Sequence, residues 1–298
     1  MPKNQKSKKS KFQRKTVEYS KNLKLPNVFV ITKQCIEIIY KNNKVFMVST
    51  FLYFILSLVF VRGLSATINV LQVKNNYIGN GGTGGLASNI TALGYIFGTS
   101  FSGGSASSSV YQSLLYVIFS LVFIWLLREL YKNNKVTIRD SFYKSQYPFI
   151  PFIIVMFYIV IELIPAIIGL LLYETVSTNG IASNPIEKIA WILVLLIFIF
   201  ITAFLITSTI FAIYIVTLPN MRPFQAIKAS WKLVKKRRLL IFRKLIFLPI
   251  FLFLSISIIN VIFIALIPQI ADYVYFALSA IALVVFHSYI YSLYRDLI

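Results

Sequence analysis

Six stretches of almost uninterrupted apolar residues, at 45–61, 110–127, 149–173, 190–218, 245–267 and 273–291, occupy nearly half of a 298-residue chain. Each is long enough to cross a hydrocarbon core about 30 Å thick as an α-helix rising about 1.5 Å per residue. A helix also satisfies every backbone N–H and C=O within one segment, which lipid demands. The fold class expected is therefore all-α, a polytopic membrane protein with six transmembrane helices. Composition supports this where it is decisive: charged residues make up only 13% of the chain and mean hydropathy is +0.77, against a charged share of about a quarter in soluble domains.

The runs differ in ways that predict local structure. The first, "VFMVSTFLYFILSLVFV", lies between Lys44 and Arg62 and is short enough to borrow residues 63–66. The third is interrupted by Pro151, Glu162 and Pro165. The fourth is too long for one upright helix and too short for two. That predicts a tilt, a projection beyond the bilayer, or a bend near Thr207, Ser208 and Thr209. A tight loop over 268–272 is expected between the last two.

Six spans place both termini on one side, and charge tells which. Of 30 Lys and Arg, 27 fall in residues 1–44, 128–148, 219–244 and the tail after the last span; only Arg62, Lys74 and Lys188 fall on the other side. By the positive-inside rule both termini are expected in the cytoplasm, and the chain in the cell membrane as a multi-pass protein. Tyr131, Tyr143, Tyr147, Tyr289, Tyr291 and Tyr294 gather near the same surface, as an interfacial aromatic belt would. A cleaved signal peptide fits the first run poorly, because 44 residues precede it and no small-x-small site follows cleanly.

The stretch "MRPFQAIKASWKLVKKRRLLIFRKLIF", residues 221–247, holds nine Lys or Arg and no acid. Phe224, Ile227, Trp231 and Val234 recur at helical spacing and share one face, with Lys228, Lys232, Lys235 and Lys236 on the neighbouring arc. Such a helix is expected to lie in the interface, apolar face among acyl chains and cations toward anionic headgroups. Val28, Ile31, Cys35 and Ile38 repeat the spacing before the first span, and Ile138 and Phe142 with Lys144 give a weaker third instance. The predicted organisation is a basic disordered cytoplasmic tail over 1–26, then a transmembrane domain over 27–298. That domain is expected as three hairpins, each preceded by a cytoplasmic amphipathic helix. This placement accounts for the net charge of +21 without a nucleic acid. The partners expected are membrane lipids, anionic ones above all, with a protein partner possible at the cytoplasmic face or outer loop.

At "FAIYIVTLPNMRPFQAIKASWKLVKKRRLLIFRKLIFLPIFLFL" the chain resembles the glycerophosphoryl diester phosphodiesterase membrane-domain family and related bacterial multi-helix membrane families. The shared pattern is a span, a short apolar-Pro segment, then A-x-x-x-S-W-x-L-x-K. Ala226, Ser230, Trp231, Leu233 and Lys235 stand in those places. The likeness is close over about 45 residues and loose over the six-span layout. It implies an integral membrane domain with no assigned activity of its own. The phosphodiesterase chemistry of that family belongs to a separate soluble barrel, whose metal needs clustered acids and a histidine pair. With nine scattered acids and one histidine, this chain is expected to have no such activity.

Glu162, in "VIELIPAII", is the one acid well inside a span. An ionisable group at that depth suggests proton coupling, cation contact or headgroup binding. The structural alternative is a protonated Glu that bonds a neighbouring helix or caps the carbonyl freed by Pro165. Asn260, Thr207, Ser208 and Thr209 are the intramembrane polar candidates to face it. His287 has no Cys, Asp or Glu at ligand spacing and reads as structural; no metal, cofactor or catalytic residue is expected. Cys35, being single, forms no intramolecular disulfide. The outer loop, about 63–109, holds ten of the twelve glycines and an Asn89-Ile90-Thr91 acceptor pattern, and its composition suits flexibility. The function expected is that of a non-enzymatic accessory or scaffold in envelope or lipid-linked processes. The alternative is a transporter or permease-like component that uses Glu162.

Overall fold

A computed structural model describes residues 26–62, 106–178, 184–235 and 237–298; the basic tail before residue 26, the outer loop over 63–105 with its Asn89 pattern, and Lys236 lie outside them. The described chain forms α1 (Val28–Lys41), α2 (Asn43–Ser57, continued by a π turn, Leu58–Arg62), α3 (Ala106–Tyr131), α4 (Ile138–Ser145), α5 (Phe149–Glu162), α6 (Ile164–Thr178), α7 (Pro185–Thr209), α8 (Ala212–Ile215), α9 (Pro223–Val234), α10 (Arg238–Leu266) and α11 (Pro268–Arg295). Six spans among these are long and apolar enough to cross a membrane, and the protein is an all-α polytopic membrane protein.

Local chemistry explains where the long runs break. Pro165 has no N–H to give to the Ile161 carbonyl, so the third run splits at Leu163, whose own N–H tightens onto Val160 O over 3.1 Å. The fourth run ends its straight part where Thr207, Ser208 and Thr209 each turn a hydroxyl back onto the carbonyl four residues earlier, at 2.7, 3.0 and 3.3 Å. Where a tilt, a projection or a bend is expected, the helix is interrupted just after this cluster: α7 stops at Thr209 and the short α8 begins at Ala212.

Two boundaries differ from expectation. The fifth span starts at Arg238, seven residues before the apolar run; a helix has no reason to stop at Lys244, whose long stem carries its ammonium to Pro26 O. Residues 268–272 are not a loop: Pro268 opens α11, its fixed φ and missing N–H suiting a first helical turn.

The helices pair as α2 with α3, α5 and α6 with α7, and α10 with α11; α11 also packs on α1, α2 and α3, and α7 on α10. The core lies around α3, α8 and α11, with Phe119, Phe123, Phe152, Phe211, Tyr214 and Tyr289 fully buried. Much of α6, α7 and α10 keeps Leu, Ile and Phe exposed. This suits lipid as solvent, where helix contact rests on packing and hydrogen bonds instead of on removing apolar surface from water.

At one point the backbones of α6 and α7 come close: a Cβ built on Gly169 would stand 2.7 Å from Phe198 Cβ and 3.2 Å from its Cγ. Phe198 Cβ is fixed to its own helix and cannot swing aside. Gly169→Val is expected to cost about 1–3 kcal/mol through overpacking, read as a lower unfolding midpoint in detergent, with Gly169→Ala between it and the wild type.

The three short helices α1, α4 and α9 lie with the basic ends of the spans. Their apolar faces are seated on protein. Ile31 and Cys35 of α1 are buried, Cys35 Sγ lying 3.8 Å from Val285 O of α11. Lys244 Nζ donates to Pro26 O and Gln34 Oε1 accepts from Ser292, which fixes α1 further. Burial pushes the Cys35 thiol up to about 11, partly offset by Ser288. A raised value means less thiolate, about 100-fold less at pH 8 than for an ordinary cysteine. Maleimide labelling of the folded protein is expected to be slow by that factor and to rise on denaturation; equal rates in both states would show that α1 does not stay docked.

Candidate functional site

α9 is held against α5, α7 and α8, and its apolar face divides. Ile227 and Val234 are buried, Trp231 is half-buried, and Phe224 is 73% exposed. The expectation of an apolar face turned wholly to acyl chains is therefore corrected. Bundle packing plus hydrogen bonds outcompetes a lipid surface for three of the four residues, and Phe224 alone is left facing outward. Lys228, Lys232 and Lys235 are exposed.

The hydrogen bonds at this contact reach Glu162. Thr209 donates to Glu162 Oε1 over 2.6 Å and accepts from Trp231 Nε1 over 3.0 Å. One residue back on α9, Ser230 Oγ donates to the Ser208 carbonyl over 2.6 Å. Ala226, fully buried, lets α9 approach closely. The A-x-x-x-S-W pattern noticed in the sequence thus has a local physical meaning: a small residue and two donors that dock α9 on the hydroxyl-rich end of α7. Lys235, in the last position of that pattern, points to no such contact.

Glu162 is 5% exposed, and its Oε2 has no hydrogen-bond partner among the described residues. Thr209 has one proton and two acceptor lone pairs, and Trp231 can only donate. The Thr209 proton can therefore go to an ionised Glu162, or to Leu205 O at 3.3 Å while a protonated Glu162 donates to Thr209. Both protonation states fit the same heavy-atom positions. The Arg238 guanidinium lies over Phe204 and Trp231, 4.4 and 5.3 Å from the ring centroids, and adds a cation to the outer side of this contact.

Of the residues expected to face Glu162, Thr209 alone bonds it. The Thr207 and Ser208 hydroxyls are spent on their own helix. Asn260 is fully buried, and neither amide atom has a hydrogen-bond partner among the described residues; one turn further along α10, Ile264 belongs to a separate small cluster with Ala271 and Tyr275. The carbonyl-capping alternative for Glu162 is likewise not what the geometry shows, since its bond goes across to α7.

His287 is 2% exposed, inside the protein core. Its Nδ1 lies 3.2 Å from Tyr214 Oη and its Nε2 2.9 Å from Ser120 Oγ, so one ring joins α3, α8 and α11. Among the described residues no three His, Cys, Asp or Glu gather as a metal group.

A cavity of about 1160 Å³ opens at the basic end, between α3, the α4–α5 junction, residues 216–222 and the end of α11. Leu121, Trp125, Arg128 and Glu129 line it from a single face of α3, and Lys132 follows just past the helix end. Arg128 is fixed there by donating to Thr217 O over 2.7 Å, to Tyr214 O over 3.3 Å and to Thr217 Oγ1. Lys132 pairs with Glu129 over 2.8 Å, and Arg295 lies 4.0 Å from the Tyr131 ring centroid. Sequence reasoning missed this cavity because its lining comes from four separated segments; the signal present was the crowd of Tyr and Arg at one end of three spans.

No protein-family model matches the chain, and no curated protein or solved structure resembles it closely enough to count as a match.

Proposed function

We propose that this is a non-enzymatic integral membrane protein of the cell membrane, with both termini in the cytoplasm, serving as an accessory or scaffold in envelope or lipid-linked processes. Its inner face is built to meet anionic lipid or a cytosolic partner. The observation that supports this reading is the set of three amphipathic helices at one end. They are anchored to the bundle through their apolar faces and leave Lys33, Lys144, Lys228, Lys232 and Lys235 exposed outward. The likeness of residues 226–235 to a membrane-domain pattern fits the same role. The test is gentle extraction of the tagged protein followed by mass spectrometry of proteins and lipids that co-purify. A near-stoichiometric protein partner or enriched anionic lipid is the expected result; a solitary protein with a lipid complement matching the bulk membrane would remove the proposal.

A second reading, a transporter or permease-like component, is favoured by one observation: the unpartnered Oε2 of buried Glu162. Glu162→Gln should abolish or uncouple ion-linked flux of a demonstrated substrate in liposomes. Unchanged flux would end this reading and leave the first untouched.

A further inference from the structure

Along α3 the cavity wall changes character with depth. Leu121 and Trp125 come first, then Arg128, with Glu129 and Lys132 at the rim. Seven residues separate Leu121 from Arg128, about 10 Å of helix. The other walls add Pro148 and Pro151 from the start of α5, Arg222 from the segment before α9 and Arg295 from the end of α11. Five cations line the space, Arg128, Lys132, Lys144, Arg222 and Arg295, against one acid, Glu129. That acid is already paired with Lys132. The exposed Arg222 side chain makes no hydrogen bond or ion pair among the described residues, while Arg128 is held rigid by carbonyls and still has donors to spare. A guanidinium pair is suited to a phosphate, whose oxygens accept two parallel N–H bonds. A free anion would have no use for the apolar half of the space.

From this gradient we infer that the cavity at the basic end binds a phosphorylated amphiphile, phosphate between Arg128, Arg222 and Arg295 and apolar chain against Leu121 and Trp125. This rests on the anionic-lipid reading above and gives it a place. It also separates two kinds of cation: those of the cavity recognise a headgroup, whereas Lys228 and Lys232 on the outer face of α9 offer only general attraction.

The test uses the full chain in nonionic detergent, titrated with dioleoyl phosphatidylglycerol or dioleoyl phosphatidylcholine and read by native mass spectrometry. Arg222→Gln, alone and with Arg295→Gln, is compared with Lys228→Gln/Lys232→Gln, each first checked for a wild-type unfolding midpoint. Arg222 alone suffices should the double variant fold poorly. Phosphatidylglycerol is expected to bind about tenfold more tightly than phosphatidylcholine, and the cavity variants to lose about that factor, the worth of a charge-assisted contact, while the α9 pair changes it less than about twofold. Preference lost in the α9 pair and kept in the cavity variants would overturn the cavity site and spare the surface reading. No preference for phosphatidylglycerol in any form would overturn both. Glycerol 1-phosphate displacing the lipid at equal concentration would show a soluble phosphate site and overturn the amphiphile.

Discussion

Replacing His287 with Phe should lower the unfolding free energy by about 2–4 kcal/mol, with the fold retained. Two nitrogens meet two buried hydroxyls, Tyr214 Oη at 3.2 Å and Ser120 Oγ at 2.9 Å, and Tyr116, Phe123 and Phe286 surround the ring at centroid distances of 6.4, 6.5 and 5.8 Å. Phe keeps the aromatic contacts and the approximate volume, so cavity formation is a small part of the cost. It strips a partner from each hydroxyl, and an unpaired buried polar group costs about 1–3 kcal/mol. Ser120→Ala, which removes one hydroxyl and leaves a ring nitrogen facing it, is expected to cost about half as much. The measurement is equilibrium unfolding in mixed micelles. If His287→Phe came within about 0.5 kcal/mol of the wild type, the neighbourhood of ordinary surface substitutions, the three-helix junction would have to be held by packing alone.

That junction shows what a sequence can and cannot disclose in a membrane protein. Span positions were legible because apolar length is written locally. Residues 149–173 and 190–218 even carried their interruptions openly, as Pro165 and as three consecutive hydroxyl residues. The amphipathic faces were legible too, through Ile31, Cys35, Ile227 and Val234 at helical spacing. What they face was not. A helical wheel distinguishes apolar from charged, and lipid and protein interior are both apolar. Only the assembled bundle shows that Ile227 and Val234 are buried where α9 packs on α5, α7 and α8, while Phe224 stays exposed. His287 shows the same limit: its structural role is legible from its lack of ligand-spaced neighbours, but its partners Tyr214 and Ser120 lie 73 and 167 residues away and only the fold brings them together. Asn260 illustrates the other limit. Its burial was expected, but which of five other spans it turns toward depends on helix rotation, which a run of Ile, Phe and Leu on every side leaves unmarked.

The Glu162 contact supplies the second large effect, because three groups share one hydroxyl. Thr209→Val keeps size and branching, but it leaves Trp231 Nε1 without an acceptor and Glu162 Oε1 without a donor, while Oε2 already has none among the described residues. The expected cost is about 2–3 kcal/mol, higher than the roughly 0.6–2 kcal/mol of a single interhelical bond in a membrane protein. Trp231→Phe loses one of these bonds and should cost about 1 kcal/mol. The decisive quantity is the double variant. Once Thr209 is Val, the indole N–H has nothing to lose, so the two costs should fall short of additivity by about 1 kcal/mol. The same cycle between Thr209→Val and Ser230→Ala provides the contrast. Ser230 bonds the Ser208 carbonyl, not Thr209, and its removal should leave the Thr209 cost nearly unchanged. Coupling of Trp231 but not Ser230 would make the indole the specific link by which a displacement of α9 reaches an acid inside the membrane. Full additivity in both cycles would reduce α9 to a helix that merely rests on its neighbours, and Glu162 would then have to be explained from α5 and α7 alone.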